Sequence, residues 1–260
     1  MTQDPVVYSR DGDVATITLA DGGRGNPLHP ASVAALHGAV RRAYADRARV
    51  VVLRAEGRFF CVGGDLAGMA ASEDRGRYLD DLAEALHRVI LDLHRLDAVV
   101  VSVVQGAAAG AGFPLAAAAD IVLASSAAGF SLAYTKVGLS IDGGSSLLTE
   151  TLGLHRMLRL ALLNDALDAE EAQAAGLVAR VFAPDELDDG VAEIVARLAA
   201  GPPGAYARAR RLLRQAAHPD AAERMARESH QMREQAATAE GHEGVDAFLD
   251  KRAPEFGSGS

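Results

Sequence analysis

Gly106, Gly110 and Gly112 stand among alanines directly after Val99 to Val104, a run that is apolar but for Ser102. No other stretch restricts the fold as strongly. The valine run reads as a strand buried on both faces. The backbone must then turn with nothing bulky in the way. Pro114 fits the first turn of a following helix, because its missing N–H would have no partner there. The N-terminus of that helix then faces the glycine turn, where free N–H groups can stabilise negative charge. A plain strand-to-helix crossover, with small residues serving only close packing, fits the same residues. Both readings stay open at this point.

Composition narrows the setting. The chain has 260 residues, 49% of them hydrophobic, enough for one large core with a helical appendage. Its formal net charge of −9 and pI near 5.4 argue against nucleic-acid or anionic-membrane surfaces. Lys136 and Lys251 are the only lysines, so arginine carries most of the positive charge. Cys61 stands alone, which excludes an internal disulfide and suits a reducing compartment. The opening MTQDPVVYSRDGD is polar and acidic, so no secretion signal is expected. No apolar run has the length of a membrane span. A soluble, cytoplasmic protein is the expectation.

Several elements can be placed from pattern. Val6 to Ser9 and Val14 to Leu19, joined at Asp11-Gly12-Asp13, predict a β-hairpin. Pro30 to Ala45 has helical spacing, Val50 to Leu53 is a short buried strand, and Glu73 to Leu96 is a long amphipathic helix. Another strand is expected at Ile121 to Ala124. This alternation predicts a parallel α/β core with right-handed crossovers. From Leu147 onward the chain reads as almost wholly helical, interrupted at Pro184 and at Gly201-Pro202-Pro203-Gly204. The expected division is an α/β core over 1–200, a helical region over 201–256 and a flexible tail over 257–260.

Four ordered segments now carry a resemblance. They are AEGRFFCVGGDL from Ala55 to Leu66, the central VVQGAAAGAGFPLAAAADIVLA, FSLAYTKVGLSIDGGSSLLTETLG from Phe130 to Gly153 with AQAAGLVARVF after it, and FLDKRAPEF near the end. In this order and spacing they resemble the crotonase, or enoyl-CoA hydratase/isomerase, superfamily. The resemblance implies a spiral of ββα units with a C-terminal helical region. It implies homotrimers or hexamers and acyl-CoA thioesters as substrates; the C-terminal helices can pack on a neighbouring subunit or equally fold back on their own core. No cofactor beyond the substrate's own coenzyme A is implied, and no nucleic acid or membrane. It also implies an oxyanion hole made by the N–H groups of Gly64 and Ala111. Preorganised donors at a thioester oxygen that gathers charge are worth several kcal/mol. Gly64 would permit unusual backbone angles, whereas Ala111 stands where the family has glycine and must present its N–H at angles an alanine tolerates.

The catalytic positions depart from the hydratase pattern. Hydratases of the family hold water with two glutamates, and those positions here are Pro114 and Tyr134. Neither can act as a carboxylate base. Asp142, in GLSIDGGSS, instead matches the single aspartate of isomerases that act on ring-opened phenylacetate derivatives. One carboxylate suffices to move a proton between C2 and C4 of an enoyl chain. A turn-forming role before Gly143-Gly144 is the competing reading of Asp142. The resemblance also offers an aryl-CoA dehalogenase in which Asp142 is nucleophile, Tyr134 its aromatic support and His87 lies nearby. A catalytically inactive acyl-CoA binder is the third reading. His87 by itself reads as an ordinary core or surface histidine of an amphipathic helix.

Phe60, Gly63, Leu66, Met69, Gly110, Tyr134 and Leu139 are expected around the acyl group, with core packing as the alternative for the large ones. Arg24, Arg54 and Arg58 lie on loops that in the family meet coenzyme A, although surface arginines need no such role. Asp65 is expected to cap a helix over Leu66 to Ala70. Cys61 reads as a small buried hydrophobe. Ser145 and Ser146 have no nucleophile motif around them, and the eight histidines show no metal-ligand spacing.

Overall fold

A computed structural model describes residues 4–257. The tail expected at 257–260 lies outside this range except for Gly257. The chain starts with an antiparallel hairpin, β1 (Val6–Asp11) and β2 (Val14–Leu19), then α1 (Pro30–Ala45) and β3 (Val50–Ala55). Next come α2 (Leu66–Ala70), the long α3 (Arg75–Arg95), β4 (Val99–Val104), β5 (Ala107–Ala109) and α4 (Gly112–Ala117). They are followed by β6 (Ile121–Ser125), β7 (Gly129–Ser131), α5 (Thr149–Leu152) and α6 (Leu154–Leu163). The remainder is β8 (Ala166–Asp168), α7 (Ala169–Ala174), β9 (Arg180–Phe182), α8 (Leu187–Ala199), α9 (Pro203–Ala217), α10 (Ala221–Ala236) and α11 (Ala239–Leu249).

Two sheets result. The larger runs β1-β2-β3-β4-β6-β9, all parallel except at the β1 edge. The smaller runs β5-β7-β8. After β4 the chain crosses through Gln105-Gly106 into β5, and after β6 it crosses again into β7. Each repeat thus gives one strand to each sheet, which is the expected spiral. Only glycine fits at the first crossing: a Cβ on Gly106 would sit 2.0 Å from the Arg58 carbonyl oxygen. All six residues of β4 are buried, Ser102 included, as a strand covered on both faces requires.

The chain beyond Leu147 is less helical than expected. β8 pairs antiparallel with β7, and β9 extends the large sheet beside β6. Strands of three residues carry no readable alternation, and these exist because a sheet edge needs a partner. The C-terminal helices fold back over their own core. Met225 and Met232 of α10 are buried against it, and α11 packs near α2. Arg210 and Arg214 of α9 bind Asp120, at the start of β6, from one side.

Candidate active site

The loop after β3 is pinned on both flanks. Cys61 bridges Ala108 of β5, and Leu28 bridges Gly64. Leu28 N–H donates to the Gly63 carbonyl at 2.8 Å, and Asp65 N–H donates to the Leu28 carbonyl at 2.9 Å. Gly63 takes a φ of +94°, and a Cβ there would lie 2.9 Å from the Ala109 oxygen and 3.5 Å from the Ala111 nitrogen. The left-handed backbone therefore falls on Gly63, not on Gly64, where a Cβ would meet open space. Close contact between the two loops leaves the N–H groups of Gly64 and Ala111 free. Neither donates a hydrogen bond to any described residue. Ala111 has φ −64° and ψ −15°, ordinary right-handed values that an alanine holds without strain.

Both residues border an apolar cavity of about 250 Å³. Leu79, Leu82 and Leu86 of α3 form one wall, and Met232 of α10 and Phe248 of α11 reach it from the C-terminal helices. Gly63, Leu66, Gly110, Tyr134, Leu139 and Asp142 also line it. Phe60 and Met69 do not. Both are fully buried in the core, so core packing is their place.

Asp142 carries the only carboxylate among the described lining residues. It is 6% exposed. Its Oδ1 lies 2.8 Å from Nε2 of His87, a buried residue of α3. Helical periodicity alone left His87 an ordinary core or surface residue; the fold makes it the direct neighbour of the candidate acid. The Asp142 carbonyl oxygen accepts from the Tyr134 hydroxyl at 2.9 Å and from Ser145 Oγ at 2.6 Å. Tyr134 is thus a neutral donor that shapes the loop. Burial, and then the charge of Asp142, push its phenol well above the ordinary range.

Glu228 of α10 is a second group that sequence reading missed. It is buried, and its two oxygens accept the N–H groups of Gly144 and Ser146, each at 2.7 Å. One donor atom each from His87, Asp142 and Glu228 fall within 4.8 Å of one another. This is a His/Asp/Glu cluster that histidine spacing did not reveal. Each of the three already has protein partners, which favours a hydrogen-bonded network over a ligand set for a metal ion. No local pattern could have found it, because its members come from α3, a loop and α10.

Other expectations resolve simply. Asp65 Oδ1 accepts from Gly68 N–H at 3.3 Å and caps α2. Arg24 pairs with Asp21 and Asp65, Arg54 pairs with Asp188, and Arg58 lies over the Phe59 ring; none lines the cavity. Burial pushes the Cys61 thiol up to about 12, which makes it inert. Ser145 is engaged by the Asp142 backbone, and Ser146 Oγ is buried beside Glu228. Pro114 is buried and outside the lining.

Residues 9–259 match the family model described as enoyl-CoA hydratase/isomerase. The trans-2-decenoyl-[acyl-carrier-protein] isomerase of Streptococcus mutans is 33% identical, over 96% of this chain and 97% of its own. A probable enoyl-CoA hydratase of Rhodobacter capsulatus is 34% identical, over 98% and 99%. Among solved structures, an enoyl-CoA hydratase from Mycobacterium avium subsp. paratuberculosis superposes with a TM-score of 0.89 at 31% identity, over 97% of this chain and 98% of that one.

Proposed function

The chain belongs to the enoyl-CoA hydratase/isomerase family, whose members act on acyl-CoA thioesters, and from this we propose that it is an enoyl-CoA isomerase with Asp142 as its acid/base. One observation carries the reading: the cavity joins a single lining carboxylate, Asp142, to two unpaired N–H groups, of Gly64 and Ala111. With the thioester oxygen between those N–H groups, Asp142 takes a proton from one allylic carbon of the enoyl chain. The electron pair moves into the carbonyl, and the dienolate oxygen is held by the two donors. The same carboxyl then returns the proton to the other end of the conjugated system. The double bond has moved and no water has been added. This shuttle needs no cofactor besides the substrate's coenzyme A.

Hydration by a pair of glutamates lacks its residues here. Tyr134 and Pro114 occupy those positions, and Glu228, the nearest other acid, has both oxygens engaged by backbone outside the lining. The test is direct turnover of 3-enoyl-CoA and 2-enoyl-CoA by wild type beside Asp142→Ala. Interconversion by wild type, with a loss of about a hundredfold or more in the variant and acyl-CoA binding retained, is the expected result. Efficient hydration of 2-enoyl-CoA by wild type would refute the reading. Binding without turnover of either substrate would favour an acyl-CoA binder.

The His87–Asp142 contact favours a second reading. In an aryl-CoA dehalogenase, Asp142 would attack the halogen-bearing ring carbon and halide would leave. Water would then cleave the aspartyl ester, with His87 taking its proton. Halide release from a haloaryl-CoA separates this chemistry from isomerisation.

A further inference from the structure

Asp142 enters the cavity from a turn whose next two residues, Gly143 and Gly144, have φ of +73° and +86°. A turn built from two glycines is soft, because glycine restricts the backbone least. Something must hold it if the carboxylate is to keep one direction. Tyr134 and Ser145 hold the Asp142 carbonyl. The N–H groups on the far side of the glycines, of Gly144 and Ser146, both go to Glu228, 84 and 82 positions away in sequence. One turn earlier on α10, Arg224 donates to the Ser146 carbonyl and pairs with Glu150.

Resting on the reading of Asp142 as acid/base, we propose that Glu228 is its positioning residue, clamping from α10 the glycine turn that aims the carboxylate into the cavity. Glu228 does not line the cavity itself and acts through the turn. Two charge-assisted N–H···O bonds at 2.7 Å fix both the height and the rotation of the 144–146 backbone. A catalytic group must stay within roughly half an ångström of its productive place. The clamp is also conditional on charge. The groups facing Glu228 are His87 on α3, Asp142 and Tyr134 before and within the turn, and Arg224 on its own helix. Burial, and then the charge of Asp142, raise its pKa above the usual carboxylate value. Protonation would turn one acceptor oxygen into a donor facing an N–H, and the clamp would loosen as pH falls.

The experiment compares Glu228→Gln with wild type and Asp142→Ala. A glutamine can accept one of the two N–H groups but must turn its NH2 towards the other. Loss of one such bond predicts a fall in kcat of about tenfold or more, with KM and the affinity for a saturated acyl-CoA unchanged. In wild type the amide proton resonances of Gly144 and Ser146 should titrate together, with a midpoint above the ordinary carboxylate range, and the acid limb of kcat should follow them. Both should vanish in Glu228→Gln. If that variant does not fold, Glu228→Asp, which keeps two acceptor oxygens on a shorter arm, should show an intermediate kcat. Wild-type kcat and acid limb in Glu228→Gln, with only Tm lowered, would overturn the positioning role. An active Asp142→Ala would instead overturn the reading on which it rests. If wild type turned over no enoyl-CoA, that reading would fail, and amides of Gly144 and Ser146 that do not titrate together would overturn the clamp by themselves.

Discussion

His87 Nε2 and Asp142 Oδ1 meet at 2.8 Å although 55 positions separate them, and both side chains are buried. With the proton on Nε2, the imidazole donates to one carboxylate oxygen, and the other has no partner among the described residues. A carboxylate held at one oxygen is oriented, and the free oxygen can carry the proton. His87→Ala removes this donor but leaves the acid. For an isomerase, the loss in kcat should therefore be about tenfold, the size of one hydrogen bond, and smaller than in Asp142→Ala. Rates with 3-enoyl-CoA for the two variants check the order. A larger loss in His87→Ala would make the histidine the base and Asp142 its support.

That contact also shows where sequence reading stops. The hairpin, α1, α3, β3, β4 and β6 could be read because each has a local pattern: a turn signal, a helical stripe or an apolar run. β5, β7, β8 and β9 are three or so residues long and form through pairing, so nothing local announces them. The loops around Gly64, Ala111 and Asp142 could be placed by resemblance. Which glycine takes the left-handed backbone could not, since Gly63 and Gly64 differ only in what packs against them. Phe60 and Met69 illustrate the same limit, because a large apolar side chain near a pocket motif can face either the pocket or the core. Glu228 left no signal, as its partners are backbone N–H groups on a distant turn.

Ala111 permits a clean test of a backbone donor. Its φ of −64° is the angle that proline imposes, and its N–H supports no bond within the chain. Ala111→Pro lacks one of the two N–H groups at the cavity, and a modest drop in Tm should accompany it, because proline disfavours the φ of +52° at Gly110 before it. Removal of a single oxyanion donor costs about a hundred- to a thousandfold in kcat. The assay is kcat beside a thermal melt. A folded variant with wild-type kcat would remove Ala111 from the oxyanion hole.

Asp120 anchors the start of β6 to the C-terminal helices. It accepts from Val100 N–H at 2.8 Å, from Arg214 at 2.9 and 3.1 Å, and from Arg210. Arg210 is 8% exposed, so its charge has little water to turn to. Asp120→Ala would leave two arginines facing each other without their counter-ion. Breaking a buried pair from one side costs about 3–5 kcal/mol, and urea unfolding should show a loss of that order. A loss below about 1 kcal/mol, the usual worth of an exposed pair, would mean that water replaces the carboxylate.

His94, near the end of α3, should make the protein sensitive to acid. Burial, and then the charges of Arg214, His218 and Arg210, pull its pKa from 6.5 down to about 2. The imidazole is therefore neutral in the folded protein, and its Nε2 is buried without a hydrogen-bond partner. Once the pH drops below 6.5 the unfolded chain binds a proton at this residue that the folded chain refuses. Stability is consequently full above 6.5 and falls with decreasing pH until the folded value is reached. The slope approaches about 1.4 kcal/mol per pH unit, giving a loss of about 2 kcal/mol between about pH 7.5 and about pH 5. His218, shifted in the same direction by burial, adds a smaller part of the same sign. Urea midpoints over this range should decline in wild type and decline much less in His94→Gln, which keeps the size of the side chain without its titration. Equal slopes in the two proteins would show that His94 is protonated in the folded chain as readily as in the unfolded one.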